Sequence, residues 1–445
     1  MSTEPHTPAP DSPVVVFVNL RRTPLEHRAA LYAAHRQGFG VALIADAPPA
    51  GLPAGIVRTV HQVDTYDAAA VDAAVAAVAA EHTVAGVVTW SDPAVETVSR
   101  IAAQLGLPAA SPGTARTARD KYLMRQALAA VRPDLSPRFA RVTTWEETAK
   151  AAAEIGYPLV LKPATGNGSK GIYQVHGEDQ LRPAYDQLAS YVQPSVDRVF
   201  TGHAGEIVIE EFLAGTEHSI EGWVHRGEVH IAGITDKATT EPYRLEVGHL
   251  FPTQLPASAV AAVHELTHAV AEGFGMDDCT FHLECMVGPD GKARMVECAA
   301  RVGGDFITSH LVGLATGVSF CENTVRVATG QAPVAATRPP LYAGLRKLLA
   351  PADGVLTAVD GVLDALRVPG VEHLAIERGP GAAVTLPPAD YMSCVVGAVI
   401  ATGDSADAVR AALDAAEAAI TIRVGDDGAR GGSTGEGEGD GHGDR

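Results

Sequence analysis

The chain has 445 residues, 46% of them hydrophobic and 20% charged, an ordinary globular composition long enough for about three domains. Its net charge of −19 disfavours nucleic acid and anionic membrane surfaces as partners, and no apolar run reaches transmembrane length. Five cysteines without a CxxC, and an N-terminus without a signal-peptide apolar region, fit a reducing cytoplasm.

Residues 1–13, with Pro5, Pro8, Pro10 and Pro13, read as a disordered arm. Residues 425–445 are glycine, acid and little else; they bury too little surface to offset chain entropy and read as a disordered tail. Between them the first unit, residues 14–110, alternates apolar strands with helices. Strands are expected at Val14 to Leu20, Val41 to Ala45 and Val84 to Trp90, with helices at Pro24 to Gln37, Ala68 to Ala80 and Pro93 to Leu105. Such alternation indicates an α/β fold with a parallel sheet covered on both faces.

Ser111-Pro112 supplies an N-cap and a proline at the first helical position, and the helix it starts is expected to carry Lys121. A strand at Arg138 to Val142, a helix at Trp145 to Ile155 and a strand at Leu159 to Lys162 lead into Gly166, Gly168 and Gly171. This GxGxxG spacing is followed by the β-formers Ile172 to Val175 rather than by a helix, so a dinucleotide fingerprint does not fit. Strand, glycine loop, strand suits a flap whose amides, with Ser169, fold over triphosphate oxygens; an ordinary glycine-rich hairpin is the plain alternative. Lys162 interrupts an apolar strand, where an ammonium needs an anion.

Ile207 to Leu213 is an apolar strand that ends in Glu210, Glu211, Phe212 and Leu213. Backbone groups freed at its end suit an adenine edge, and Glu217 a few residues on suits ribose hydroxyls. The segments Phe281 to Val287 and Arg294 to Ala299 flank the turn Gly288-Pro289-Asp290-Gly291. Alternation brings Glu284 and Glu297 opposite or diagonal, within about 4.5–8 Å. Two carboxylates so close call for a cation, and oxygen-only ligands suit Mg²⁺. Four residues beyond, Arg301 opens a glycine turn.

Together, Lys121, Lys162, the flap, Glu210 to Leu213, Glu284, Glu297 and Arg301 resemble the ATP-grasp superfamily, and within it the amino-acid ligase branch that joins a carboxylate to an amine. The resemblance runs from about Val14 to Val424 and implies an ATP-grasp module over 111–335, with a small lobe near 111–205 and a large lobe near 206–335. It also implies a C-terminal cap over 341–424, after a linker at Pro333 to Pro340. Lys121 and Lys162 would hold triphosphate oxygens, Glu211 to Leu213 would line adenine, and Glu217 the ribose. Glu284 and Glu297 would carry magnesium, for which manganese could substitute, and Arg301 would steady an acyl phosphate. Glu246 and His249, three residues apart, resemble the pair that faces the substrate, Glu246 toward an ammonium and His249 toward the amine proton. The implied cofactors are ATP and Mg²⁺, and the implied partners are a small carboxylate and an amine, with room for a homodimer. Ala299 stands where many members have an asparagine as third metal ligand.

Three other readings remain open from the residues. One is an ATP-grasp carboxylase or formate-activating enzyme; another is an ATP-binding regulatory module without turnover. The third is a zinc peptidase, since His264-Glu265-Leu266-Thr267-His268 is an HExxH on an expected helix, Ala257 to Phe274.

Overall fold

A computed structural model describes residues 11–166, 168, 170–241, 244–337 and 341–425. The expected arm and tail fall largely outside these residues, as do Ser169 and the Pro339–Pro340 end of the linker. Strands β1 (Val14–Val18), β2 (Gly40–Ala45), β3 (Val57–Gln62) and β4 (Val84–Val88) form a parallel sheet in the order β3-β2-β1-β4. Helices α1 (Pro24–Arg36), α2 (Ala68–Glu81) and α3 (Val95–Leu105) connect them. Along β1, Val15 and Phe17 enter one core with α1, while Val14, Val16 and Val18 enter another with α2 and α3, as continuous apolar strands covered on both faces require. β3 was not expected from sequence. The chain runs outward through β2 and β3, then returns to place β4 on the other side of β1, so the sheet's switch point lies between β1 and β4.

The single helix expected from Ser111 through Lys121 is two helices. Helix α4 (Pro112–Thr117) stops, and α5 (Lys121–Val131) restarts under Asp120, whose carboxylate accepts the amides of Tyr122 at 2.8 Å and Leu123 at 3.2 Å. Lys121 is therefore the first residue of a helix rather than the end of one. Strand β5 (Phe139–Val142), helix α6 (Trp145–Ile155), β6 (Leu159–Pro163), β7 (Tyr173–Val175), helix α7 (Glu178–Tyr191) and β8 (Ile207–Glu211) follow. Their antiparallel sheet has the order β5-β8-β6-β7, so the strand at 207–211 belongs with the flap hairpin and not with the residues after it.

Next come β9 (Thr216–His225), β10 (Glu228–Thr239), β11 (Glu246–Phe251), α8 (Ala257–Phe274), β12 (Cys279–Val287), β13 (Ala293–Ala299), α9 (Val312–Thr316) and α10 (Phe320–Ala328). Beyond the linker lie β14 (Tyr342–Leu349), β15 (Gly354–Asp360), α11 (Val362–Ala365), β16 (Val371–Ile376), β17 (Ala383–Val384), β18 (Val395–Gly403), α12 (Ala406–Ala419) and β19 (Thr421–Gly425). The C-terminal region does not build its main sheet alone. β14 pairs with β11, giving one eight-stranded sheet in the order β13-β12-β9-β10-β11-β14-β18-β16. That continuity carries residues of β14 to the same face as the large-lobe strands.

Candidate active site

The flap is a true hairpin. β6 and β7 pair antiparallel, and Gly166, Gly168 and Gly171 between them have φ of 127°, 71° and 72°, which side chains rarely adopt. Beneath it, Lys162 is buried, and its anion is in the protein: the ammonium pairs with Glu210 on β8. This corrects the expectation that Lys162 lacks a nearby acid, and it commits the Glu210 side chain to an internal network. Arg125 of α5 completes it, with an amine nitrogen 2.9 Å from Glu210 and a second bond of 2.6 Å to the Val296 carbonyl. Burial, with help from the charges of Arg125 and Lys121, lowers the Lys162 pKa to about 8 against the pull of Glu210. Burial raises Glu210, but Arg125 and Lys162 outweigh it and hold the carboxyl below its ordinary value.

Lys121 bridges the flap to the acids: its Nζ lies 2.9 Å from Glu297 and donates to the Gly166 carbonyl at 3.1 Å. At the end of β8 the Glu211 amide donates to the Arg138 carbonyl and the Phe212 amide to the Pro158 carbonyl. Leu213 follows, and its amide has no backbone acceptor among the described residues, so the adenine-type edge narrows to Leu213. The Glu211 carboxylate points outward to Arg138 at 3.3 Å.

Glu284 and Glu297 are partners in the β12–β13 register, with a bulge immediately after Glu284. A third element, not singled out in the sequence, organises the acids. Lys237 on β10 is buried, with its ammonium 2.7 Å from Glu284, 2.8 Å from Glu217 and 2.9 Å from Glu246. Burial lowers its pKa, but Glu246, Glu284 and Glu217 together hold it well above the ordinary lysine value. Burial would raise Glu284, yet Lys237 and His282 keep it ionised well below the usual carboxylate range. Glu217 is thus held by Lys237 and, at 2.9 Å, by Arg244, within the carboxylate group rather than apart from it. Ligand atoms of Glu217, Glu246 and Glu284 lie within 4.8 Å of one another. An all-oxygen donor set of this density fits a hard divalent cation.

Beside it, His249 Nε2 sits 3.6 Å from Glu246 and 3.4 Å from Asp305, and Lys347 of β14 pairs with Asp305 at 2.6 Å. Arg301 is fixed by Asp92, from the loop after β4, at 3.1 Å and by the Val302 carbonyl at 2.8 Å. Arg119 pairs with the same Asp92. The structure therefore brings Lys121, Lys162, Glu217, Glu246, His249, Glu284, Glu297 and Arg301 to one region, with Asp92, Arg125, Lys237, Asp305 and Lys347 added. Of the added residues only Lys237 lay in a segment marked for selectivity, Asp236 to Pro252.

The HExxH falls elsewhere. α8 buries Val263, Leu266, Thr267 and Val270, which leaves His264 and His268 exposed, and Glu265 pairs with Arg132 at 2.6 Å. Among the described residues no group of potential metal ligands includes any of the three. That overturns the zinc-peptidase reading.

A family model described as an ATP-grasp domain matches residues 155–309, flanked by an ATP-grasp N-terminal domain over 31–109 and an L-amino acid ligase C-terminal domain 2 over 346–425. The chain is a member of the ATP-grasp superfamily. This ATP-grasp protein is 30% identical over 242 residues to alanine–anticapsin ligase of Bacillus subtilis, covering 51% of the chain and 50% of that protein. It is 26% identical over 260 residues to carnosine synthase 1 of Homo sapiens, covering 56% of the chain and 31% of that protein. The chain thus spans half or less of the length of these two curated relatives. Its fold matches that of L-amino acid ligase from Bacillus licheniformis with a TM-score of 0.82 at 22% identity, over 94% of this chain and 100% of that one. No described helix is long and apolar enough to cross a membrane.

Proposed function

We propose that the protein is an ATP-dependent ligase that activates a small carboxylate, most simply an amino acid, as an acyl phosphate and couples it to an amine, releasing ADP and phosphate. The observation that carries this reading is the run of Lys121, Glu297, Glu284, Lys237 and Glu246 from the flap to His249, cations and carboxylates in alternation with no nucleophilic side chain among them. Phosphoryl transfer needs positioning and charge neutralisation rather than a protein nucleophile. Similarity to L-amino acid ligases over residues 346–425 favours amide formation over a carboxylase, and Lys347 of that region reaches the site.

In this reading Lys121 and Lys162 bind triphosphate oxygens, with Gly168, Ser169 and Gly171 of the flap covering them. Leu213, with Glu211 and Phe212 beside it, lines the base. Glu284 and Glu297 would hold Mg²⁺, or Mn²⁺ in its place, which when bound neutralises the phosphate oxygens during transfer. Lys237 and Lys121 keep those two carboxylates ionised and apart until then. Arg301, locked by Asp92, presents a guanidinium to the developing oxyanion. Glu246 pairs a substrate ammonium, and His249, lying between Glu246 and Asp305, accepts a proton from the attacking amine. Incubation with ATP, Mg²⁺, pooled amino acids and hydroxylamine tests the proposal: ADP and an acyl hydroxamate are expected. AMP and pyrophosphate would contradict it.

A further inference from the structure

Arg119, Arg125 and Arg301 all lie around this site, and each has a carboxylate partner: Asp92, Glu210 and Asp92 again. Arg21 has none. Among the described residues its guanidinium makes no hydrogen bond and no ion pair, and its Nε is sealed from solvent without an acceptor. Burial holds its pKa below the ordinary guanidinium value, and the charge of Arg301 lowers it further. An arginine left in this state is costly unless an anion completes it.

Its position is that of a ligand-binding residue. Arg21 lies in the loop after β1, and Asp92 in the loop after β4, the two loops that diverge at the switch point of the parallel sheet. Ligands of open α/β sheets bind outside the carboxyl ends of the strands at such a point. The guanidinium rests on Gly304, in the turn that follows Arg301. A side chain at Gly304 would put its Cβ 2.9 Å from Nη2, 3.0 Å from Cζ and 3.2 Å from Nη1, so glycine there makes the approach possible. The charges that act on Arg21 are those of Arg301, Glu26, Asp305 and Glu221, not those of Lys121, Lys162, Glu284 or Glu297. Arg21 is therefore on the far side of Arg301 from the nucleotide cradle.

We propose that Arg21 binds the α-carboxylate of the substrate that supplies the amine, which makes that substrate an amino acid and the product a dipeptide. The inference rests on the ligase reading. The carboxylate that is phosphorylated must lie at Arg301, toward the metal acids, and it loses its charge in the reaction. The carboxylate of the amine donor stays ionised throughout and needs a fixed cation one step further out. A guanidinium fork meets that need by two parallel hydrogen bonds, which also aim the amine.

The test measures equilibrium binding of proteinogenic amino acids and their carboxamides, with Mg²⁺ and a non-hydrolysable ATP analogue, to wild type, Arg21→Met and Arg21→Lys. Wild type is expected to bind at least one amino acid about 10- to 100-fold more tightly than its amide, the range for a charge-assisted pair. In Arg21→Met that preference should fall to about twofold or less, with amide affinity retained, and Arg21→Lys should be intermediate. A merely structural arginine would weaken acid and amide alike, and that result would overturn the proposal. So would a preference that survives in Arg21→Met, or a wild type that shows none. Hydroxamate formation by the wild type is read separately: its absence would remove the ligase reading while the carboxylate preference still reports on Arg21.

Discussion

Glu284 and Glu297 face each other in the β12–β13 ladder, yet each is held by a different lysine, Lys237 at 2.7 Å and Lys121 at 2.9 Å. The pair is ionised and held ready, because the lysines compensate two buried charges that would otherwise repel. Glu297→Gln keeps the shape and removes one charge. It should lower ADP release by about 10²-fold or more, as for loss of a group acting on transition-state charge, while nucleotide affinity changes far less. Equal loss of binding and turnover would place Glu297 outside the metal site.

Lys162, Glu210 and Arg125 form one buried network, so the effect of losing the lysine depends on what Glu210 retains. In Lys162→Ala the carboxylate keeps Arg125, which avoids the penalty of about 3–5 kcal/mol for a stranded buried charge. The variant should stay folded, with a stability loss of about 1–3 kcal/mol, and should bind ATP at least about tenfold more weakly, the equivalent of about 1.4 kcal/mol. Calorimetric binding and denaturant melts check both; unchanged nucleotide affinity would make Lys162 structural.

Arg301 and Glu246 should separate kinetically. Arg301 is fixed by Asp92 and aimed at developing charge, so Arg301→Met should lower kcat by about 10²–10³. Glu246→Ala leaves Lys237 with Glu217 and Glu284, so the metal acids stay in place and the main effect should be a higher KM for the amino acid. Loss of ATP binding in Glu246→Ala would show that the substrate pocket lies elsewhere.

Glu26 on α1 accepts the Phe306 amide at 3.2 Å in a buried pocket. Burial chiefly, with the charge of Asp305 adding to it against the pull of Arg21, raises its pKa to about 7. Folding therefore binds a proton between the unfolded value of 4.5 and about 7, and Glu26 makes the protein less stable as pH rises through that window. Glu26→Gln cannot ionise. Its stability relative to wild type should grow between pH 5 and 8 by up to about 3 kcal/mol, read from urea melts at both pH values. A constant difference would show that Glu26 is ionised throughout.

Local pattern made much of the molecule legible: the parallel sheet, the flap hairpin, α8 from Ala257 to Phe274 and the Glu284–Glu297 pairing all follow from periodicity and turn chemistry. Helix α7 was not read because Pro183 interrupts a weakly apolar stretch, and β3 because Val57–Gln62 is only half-buried and partly polar. Lys237, Arg125 and Asp92 were invisible for a different reason. Each acts through partners far away in sequence, such as Asp92 with Arg301, and such pairs leave no spacing to detect. The join between β11 and β14 is of the same kind, and it is what delivers Lys347 to Asp305.

The most direct test of acyl phosphate formation is the fate of oxygen from the acid substrate. With an amino acid carrying oxygen-18 in its carboxylate, turnover through an acyl phosphate transfers one labelled oxygen to inorganic phosphate for each amide formed, with ADP as the nucleotide product. Label recovered in AMP, or phosphate released without label while amide accumulates, would contradict it.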